Sequence, residues 1–376
     1  MMVHVDLRRC TLLLLIAAGF ACGSRADGTG ATADSEKLIT DLGLHVASQP
    51  ARERPGWRSP HIILVSPQLH DQLDALQELA PTVKFVELSS NTAARDIADA
   101  DASLGICSAD ILVKAKKLQW IQWLAAGAER CVTLPIVQER KPLVTNLQRA
   151  AGGSMAEHVM GLMLVLSRKL DFYIDEQRAA RWSGSSPTTP AMTDLEGKTV
   201  LVVGLGGIGT EVARRAHAFG MKVTATRASG RTGPDYVSYV GLPEELPALA
   251  KDADFVVNCL PLTPATTGIF NARFFALMRP TAYFLSVGRG RSTVTADLIA
   301  ALKDKRIAGA GLDVTDPEPL PSDSPLWKLP NVVITPHVSA NTPLANELRN
   351  AVVLENVKRY TAGEPMLSVV DIGKGY

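Results

Sequence analysis

Three residues in the second half of the chain combine proton and anion chemistry. Arg289 sits in "SVGRGRS", Glu318 in "DVTDPEPLP" and His337 in "ITPHVSA". Each follows a run that reads as a strand, so a parallel sheet would present all three along one carboxyl edge. A histidine exchanges protons near neutral pH, and a carboxylate partner fixes its tautomer. A fixed guanidinium pairs with a substrate carboxylate and polarises a neighbouring carbonyl. The trio suits redox chemistry at a C–OH carbon, where proton transfer accompanies hydride transfer. Singly, a loop histidine is polar surface and a glutamate before proline is an ordinary loop acid. The inference rests on their shared placement.

A hydride carrier has its own signature upstream. Gly204, Gly206 and Gly209 form GxGxxG between the buried run "KTVLVV" and the helical run "TEVARRAHAF". The first glycine permits a tight turn, and the second lets backbone approach a pyrophosphate. The third allows close helix–strand packing, and the helix N-terminus supplies donors and positive dipole. Where this unit often places an acid that accepts from the adenosine ribose, "VTATRASGR" offers Arg227, 18 residues beyond Gly209, then Ser229 and Arg231. A guanidinium beside a hydroxyl suits a ribose phosphate, so NADP(H) is favoured over NAD(H).

These groups need elements to position them. From Pro60 onward short β-branched runs alternate with helical ones: "HIILVS", "VKFVEL", "GICS" and "LQWIQWLAAGAE", then "ADFVVNCLP", "AYFLSVG", "IAGAGLDV" and "NVVITPH". Such alternation predicts α/β architecture with doubly wound parallel sheets. One long helix is expected from Gly153 to about Trp182, and a last helix over "TPLANELRNAVVLENVKRYTAGE". The chain has 376 residues, enough for two domains, and a net charge of +1, which gives no footprint for nucleic acid or a polybasic membrane patch.

The first residues read separately. "DLRRCTLLLLIAAGFACGS" has two arginines, an apolar run too short for a comfortable span and small residues around Cys22. Residues 1–22 are expected to be a signal peptide, with a lipid anchor at Cys22 as an option and export as the destination. Residues 23–59 read as a tether and leader segment, flexible to about Ser35. The five cysteines lie far apart without CxxC or metal-type spacing, which speaks against a disulfide scaffold and against a structural metal.

The ordered stretches "LVVGLGGIGTEVARRAHAFGMKV", "LPLTPATTGIFN", "GRGRSTVTADLIAAL" and "GLDVTDPEPLPSDSPLWKLPNVVITPH" resemble the D-isomer-specific 2-hydroxyacid dehydrogenase family. "LQWIQWLAAGAE", "VTN" and "MAEHVMGLML" extend the likeness to about Pro60–Ala362. The resemblance implies a Rossmann nucleotide domain, 158–337, inserted in a flavodoxin-like substrate domain formed by 60–157 and a returning helix in 338–376. It implies Arg289 as the carboxylate-binding residue, Glu318 as the carboxylate partner and His337 as the acid/base. Ala126 and Gly127 would hold the substrate carboxylate. Ile208 would face the pyrophosphate, Leu260, Pro261 and Thr266 would line the nucleotide cleft, and Asp313 would face the nicotinamide amide. The family usually forms homodimers, and the long helix ending near Trp182 would suit that contact. Ser286 stands where the family often has Asn, and Ala296 or its neighbour where it often has Asp. Trp123 is bulkier than the usual residue before the substrate loop, implying a reshaped pocket. Glu318 in place of Gln disfavours the formate branch, and the lack of a further domain disfavours the phosphoglycerate branch. The expected activity is reduction of a small 2-oxo acid to its D-2-hydroxy acid. A dinucleotide-sensing binding protein with little turnover would keep the same groups.

Overall fold

Residues 28–184 and 189–376 are described by the computed structural model. Short apolar runs form two parallel sheets. The first comprises β2 (Ile62–Val65), β3 (Lys84–Glu87), β4 (Ala102–Leu104), β5 (Trp120–Gln122) and β6 (Leu143–Thr145), ordered β3-β2-β4-β5-β6. The second comprises β7 (Thr199–Val203), β8 (Lys222–Thr226), β9 (Tyr239–Gly241), β10 (Phe255–Asn258), β11 (Tyr283–Ser286), β12 (Gly309–Leu312) and β13 (Val332–Ile334). Its order is β13-β12-β11-β10-β7-β8-β9, and every pairing is parallel. A preceding strand, β1 (Val46–Pro50), pairs antiparallel with β14 (Pro365–Leu367).

Strands buried on both faces read as continuous apolar runs, because alternate side chains enter opposite cores. In β7, Val200 and Val202 pack with Val212, Ala213 and Ala216 of the helix Gly207–Ala218. Leu201 and Val203 enter the other core with Phe274, Phe275 and Leu298. The two doubly wound domains are those expected from the alternation of elements.

The helix Gly152–Arg168 carries the chain from one domain to the other. Its Met155, Val159, Leu162 and Leu166 lie in the nucleotide-domain core, so the boundary expected between 157 and 158 falls inside a continuous helix. The long helix expected to reach Trp182 breaks at Lys169, whose φ of +53° is left-handed, and a second helix runs Leu170–Arg178. The last helix, Pro343–Ala362, returns to the first domain, where Val352, Val353, Val357 and Tyr360 join its core. Tyr360 stacks on Trp120 with ring centroids 4.6 Å apart.

Three other expectations need correction. The flexible tether expected to run to Ser35 is helical from Gly28: the helix Gly28–Leu42 docks on the last helix, where Ser35 Oγ donates to Glu355 Oε2 at 2.7 Å. The strand expected at "GICS" is formed instead by Ala102–Leu104. It stops at Gly105, whose φ of +78° and crowding by Ser66 and Leu124 require a turn. Finally, Cys107 and Cys131 form a disulfide. Linear spacing missed it because adjacent strands β4 and β5 bring the two loops together, with Cα atoms 5.5 Å apart. The expected signal peptide and the Cys22 anchor lie outside the described residues.

Candidate active site

Gly204 ends β7 with φ +97°, a conformation that a side chain disfavours. A Cβ on Gly209 would stand 2.1 Å from the Gly204 carbonyl oxygen, while one on Gly206 would meet nothing within 4 Å. The turn is thus closed toward the sheet and open toward the cleft. Gly206 caps the helix Gly207–Ala218 without a side-chain bond, leaving the terminal amides for an anion. These features fit a dinucleotide pyrophosphate, and Ile208 lies half-buried in that first turn.

Leu260 packs against the position a Gly204 Cβ would take, and its amide donates to Asn258 Oδ1. Thr266 Oγ1 donates to the Pro261 carbonyl at 2.7 Å, so both residues shape the loop above the turn. At the end of β8, Arg227 Nε donates to Ser229 Oγ at 2.8 Å and Nη1 to the Thr232 carbonyl at 2.9 Å. The pair expected to grip a ribose phosphate is therefore assembled. Arg231 is drawn aside: its Nη1 bonds Glu245 at 2.6 Å and the Tyr239 hydroxyl at 3.0 Å. Tyr239, the Leu242 amide and Arg231 hold the Glu245 carboxyl down at about 2.

The two residues expected to handle a proton are hydrogen bonded to each other. His337 Nδ1 donates to Glu318 Oε2 at 2.9 Å, leaving Nε2 for exchange. The other carboxylate oxygen of Glu318 accepts from the Thr315 amide at 3.0 Å. His337 has φ +55°, unusual for a residue with a side chain. Asp313 holds that conformation: its carbonyl accepts from the His337 amide, and its carboxylate accepts from the Val338 and Ser339 amides and the Thr335 hydroxyl. Burial pushes the Asp313 carboxyl up, but the bonds from Ser339, Thr335 and Val338 outweigh it and hold it below its ordinary value. Thr335 gives its proton to Asp313, so at 2.9 Å it accepts from His158 Nε2. Asp313 was expected to face the nicotinamide amide; its carboxylate is engaged beneath the His337 turn.

Arg289 reaches across the cleft. A Cβ on Gly290 would stand 1.7 Å from the Thr315 carbonyl, so the arginine loop lies directly against the loop of Glu318. Arg289 Nη1 donates to the Gly288 carbonyl at 2.9 Å, and a Cβ on Gly127 would stand 1.7 Å from Nη2. The loop around Gly127 is held by its carbonyls: Ala125 accepts from the Leu147 amide, Ala126 from Asn146 Nδ2 and Gly127 from Trp123 Nε1. Among the described residues the amides of Ala126 and Gly127 donate to no protein acceptor. A carboxylate meeting them would complete their bonding.

Sequence reasoning missed Glu129, whose Oε1 accepts from Arg289 Nε at 2.6 Å, although it directly follows the "AAGA" loop. It also missed the roles of Asn146 and His158, although both lie in stretches that carry the family likeness, "VTN" and "MAEHVMGLML". Ser286, where Asn is usual, joins a buried network: Asn258 Nδ2 donates to Ser286 Oγ and Ser292 Oγ, and Ser292 donates to the Arg289 carbonyl. Among the described residues no three His, Cys, Asp or Glu side chains gather as a metal site.

Comparison with known proteins places the chain among relatives of similar sequence and fold. Residues 160–339 match the family model of the D-isomer specific 2-hydroxyacid dehydrogenase NAD-binding domain. The chain is 33% identical over 290 residues to a glyoxylate/hydroxypyruvate reductase B of Citrobacter koseri, covering 75% of this chain and 89% of that one. A D-isomer specific 2-hydroxyacid dehydrogenase from Xanthobacter autotrophicus, solved with NADPH and MES, is 30% identical with a TM-score of 0.73, covering 85% of this chain and all of that one. An NADPH-dependent glyoxylate/hydroxypyruvate reductase from Sinorhizobium meliloti, solved with NADP and sulfate, is 29% identical with a TM-score of 0.73, covering 84% and 100%. Identity at this level across two thirds or more of each partner, with the same fold, makes this chain a member of the D-isomer specific 2-hydroxyacid dehydrogenase family, an NAD(P)-dependent oxidoreductase.

Proposed function

We propose that the protein reduces small 2-oxo acids to D-2-hydroxy acids with NADPH, glyoxylate, hydroxypyruvate and pyruvate being the candidate substrates. The observation that carries this reading is the meeting of Arg289 with the unbonded amides of Ala126 and Gly127, beside the His337–Glu318 pair. The substrate carboxylate lies between those amides and the guanidinium. Arg289 also polarises the carbonyl. His337 Nε2 delivers a proton to the carbonyl oxygen, while Nδ1 remains bonded to Glu318, which fixes the ring's orientation and tautomer. The dinucleotide, when bound, supplies hydride to the carbonyl carbon.

Preference for NADPH rests on Arg227 and Ser229 at the end of β8, and the relatives solved with NADPH or NADP support it. Arg231 contributes less, because Glu245 neutralises it. The protein acts as a homodimer through the segment after Lys169, where Leu170, Ile174 and Trp182 are exposed. Export is supported by the leader-like sequence and by the Cys107–Cys131 disulfide, a bond that persists in oxidising compartments.

Initial rates of NADPH and NADH oxidation with the three acids test the reading. NADPH is expected to win, and Arg227→Asp to lower its kcat/KM by about 100-fold while sparing NADH, the loss of a charge-assisted phosphate contact. Tight NADPH binding without turnover of any 2-oxo acid overturns the reductase reading in favour of a dinucleotide-sensing role. An NADH preference overturns the cofactor assignment alone.

A further inference from the structure

The disulfide and the unforeseen Glu129 meet on one short helix. Glu129–Val132 follows the Gly127 loop directly, so its first residue bonds Arg289 and its third is bonded to Cys107. Cys131 is fully buried, whereas Cys107 is half-buried, in the loop after β4. The helix has only four residues and its N-cap residue makes no side-chain bond; burial of Ala128, Cys131 and Val132 seats it in the domain core, and the disulfide adds a covalent tie to the loop after β4. This helix determines where the Glu129 carboxylate stands. That carboxylate occupies the Nε edge of Arg289 and the Gly288 carbonyl occupies Nη1, so Nη2 is the corner directed at Gly127.

We propose that Glu129 is a positioning residue for Arg289 and that the Cys107–Cys131 disulfide holds it in place, so that affinity for the substrate carboxylate depends on the thiol–disulfide state. The idea rests on the reductase reading for its site. Guanidinium and carboxylate both belong to long side chains, and their geometry is worth most when the backbone beneath is fixed. The disulfide supplies that fixity from the substrate domain, whereas the glycine turn belongs to the nucleotide domain. Cofactor binding is therefore unaffected by the redox state.

The switching step is ordinary exchange with a dithiol. One thiolate of the dithiol attacks the more accessible Cys107 sulfur, the Sγ–Sγ bond breaks, and Cys131 leaves as thiolate and takes a proton. The second thiol of the reagent then displaces Cys107, so two electrons pass from dithiol to protein, giving two protein thiols and one reagent disulfide.

The experiment uses the full chain. Alkylation under denaturing conditions without reductant, followed by peptide mass spectrometry, is expected to find the Cys107 and Cys131 peptides joined; finding both alkylated overturns the proposal. Treatment with dithiothreitol is expected to raise KM for glyoxylate about tenfold, a shift of one weakened contact, and to lower kcat by a smaller factor, because Arg289 also polarises the carbonyl. NADPH affinity, read by nicotinamide fluorescence, stays constant, and reoxidation restores KM. Glu129→Ala, with the disulfide intact, raises KM to a similar degree, and reduction then adds nothing further. Glu129→Gln, which keeps an acceptor for Nε, lies between. A purely stabilising disulfide would leave the Glu129→Ala enzyme as redox-sensitive as the native one, which overturns the proposal. So does an unchanged or lowered KM in Glu129→Ala, the result of simple carboxylate repulsion. Calorimetric binding of oxalate to the NADP-loaded protein reads the same contacts without turnover and is expected to weaken by the same factor on reduction. If no 2-oxo acid is reduced, the reductase reading fails by itself, and unaltered oxalate binding in the two redox states is what removes this one.

Discussion

At the scale of single residues, the proposed reaction turns on which nitrogen of His337 faces out. Glu318 binds Nδ1, so Nε2 is the nitrogen that the proposal assigns to proton exchange. Replacing His337 by Ala is expected to lower kcat about a thousandfold, in the range for loss of a positioned acid–base group. The Kd for NADPH is expected to stay the same, since the imidazole lies outside the glycine turn; fluorescence titration and single-turnover kinetics check the two halves. Gly209→Ala acts the opposite way. Its Cβ would fall 2.1 Å from the Gly204 carbonyl, forcing helix and strand apart, so NADPH binding is lost before chemistry is reached. Calorimetry showing native NADPH affinity in this variant would contradict the closed-turn geometry. Cys259 is buried, and burial pushes its thiol up to about 12. It is expected to resist iodoacetamide in the native protein at pH 8, and mass spectrometry of the intact chain would register any labelling.

At the scale of elements, the turn after β13 is the part most dependent on one buried acid. Asp313 ties β12 to the residues on both sides of His337. Asp313→Asn is expected to cost about 2 kcal/mol at neutral pH, because Val338 and Ser339 bond different carboxylate oxygens and the amide must set its NH2 against one of those two N–H donors. The native carboxyl is held below its ordinary value of 3.8, so its contribution is complete above that value and is lost as pH falls through the lower folded value. The gap in melting temperature between native and Asp313→Asn proteins should therefore be wide at pH 7 and close in strong acid. A gap of constant width would mean that the carboxylate charge is not what holds the turn.

The same element shows what a sequence can and cannot carry. The glycine turn and the order Arg289, Glu318, His337 are local patterns at strand ends, and they were readable because adjacent residues enforce them. Asp313 was readable as a site residue, but its partners Thr335 and His158 come from separate elements. The short strand β9 offers three residues, too few for any periodicity, and was not foreseen. The break at Lys169 left no mark because the helical pattern is similar on both sides and only the backbone angle changes. Glu129 and the disulfide were hidden for a stronger reason: both depend on contacts between loops of different strands or domains, which spacing along the chain does not encode.

At the scale of the whole molecule, the two domains were legible from the alternation of strands and helices, and their interleaving from the family resemblance. The proposed contact between subunits is testable on its own. Ile174→Arg places a charge on the exposed apolar face after Lys169 and is expected to convert a dimer into a monomer, as read by light scattering, with NADPH binding retained. A native protein that is already monomeric would remove that interface.

The chain passes between domains twice, once into the helix at Gly152 and once out of β13 toward Pro343. The two passages lie side by side: the hydroxyls of Ser154 and Thr342, 188 positions apart in the chain, meet at 2.9 Å. Two adjacent connections act as the spine of a book, allowing the covers to swing about one line and resisting shear along it. On such a mount Arg289 and Glu129, bonded from opposite covers, are the clasp.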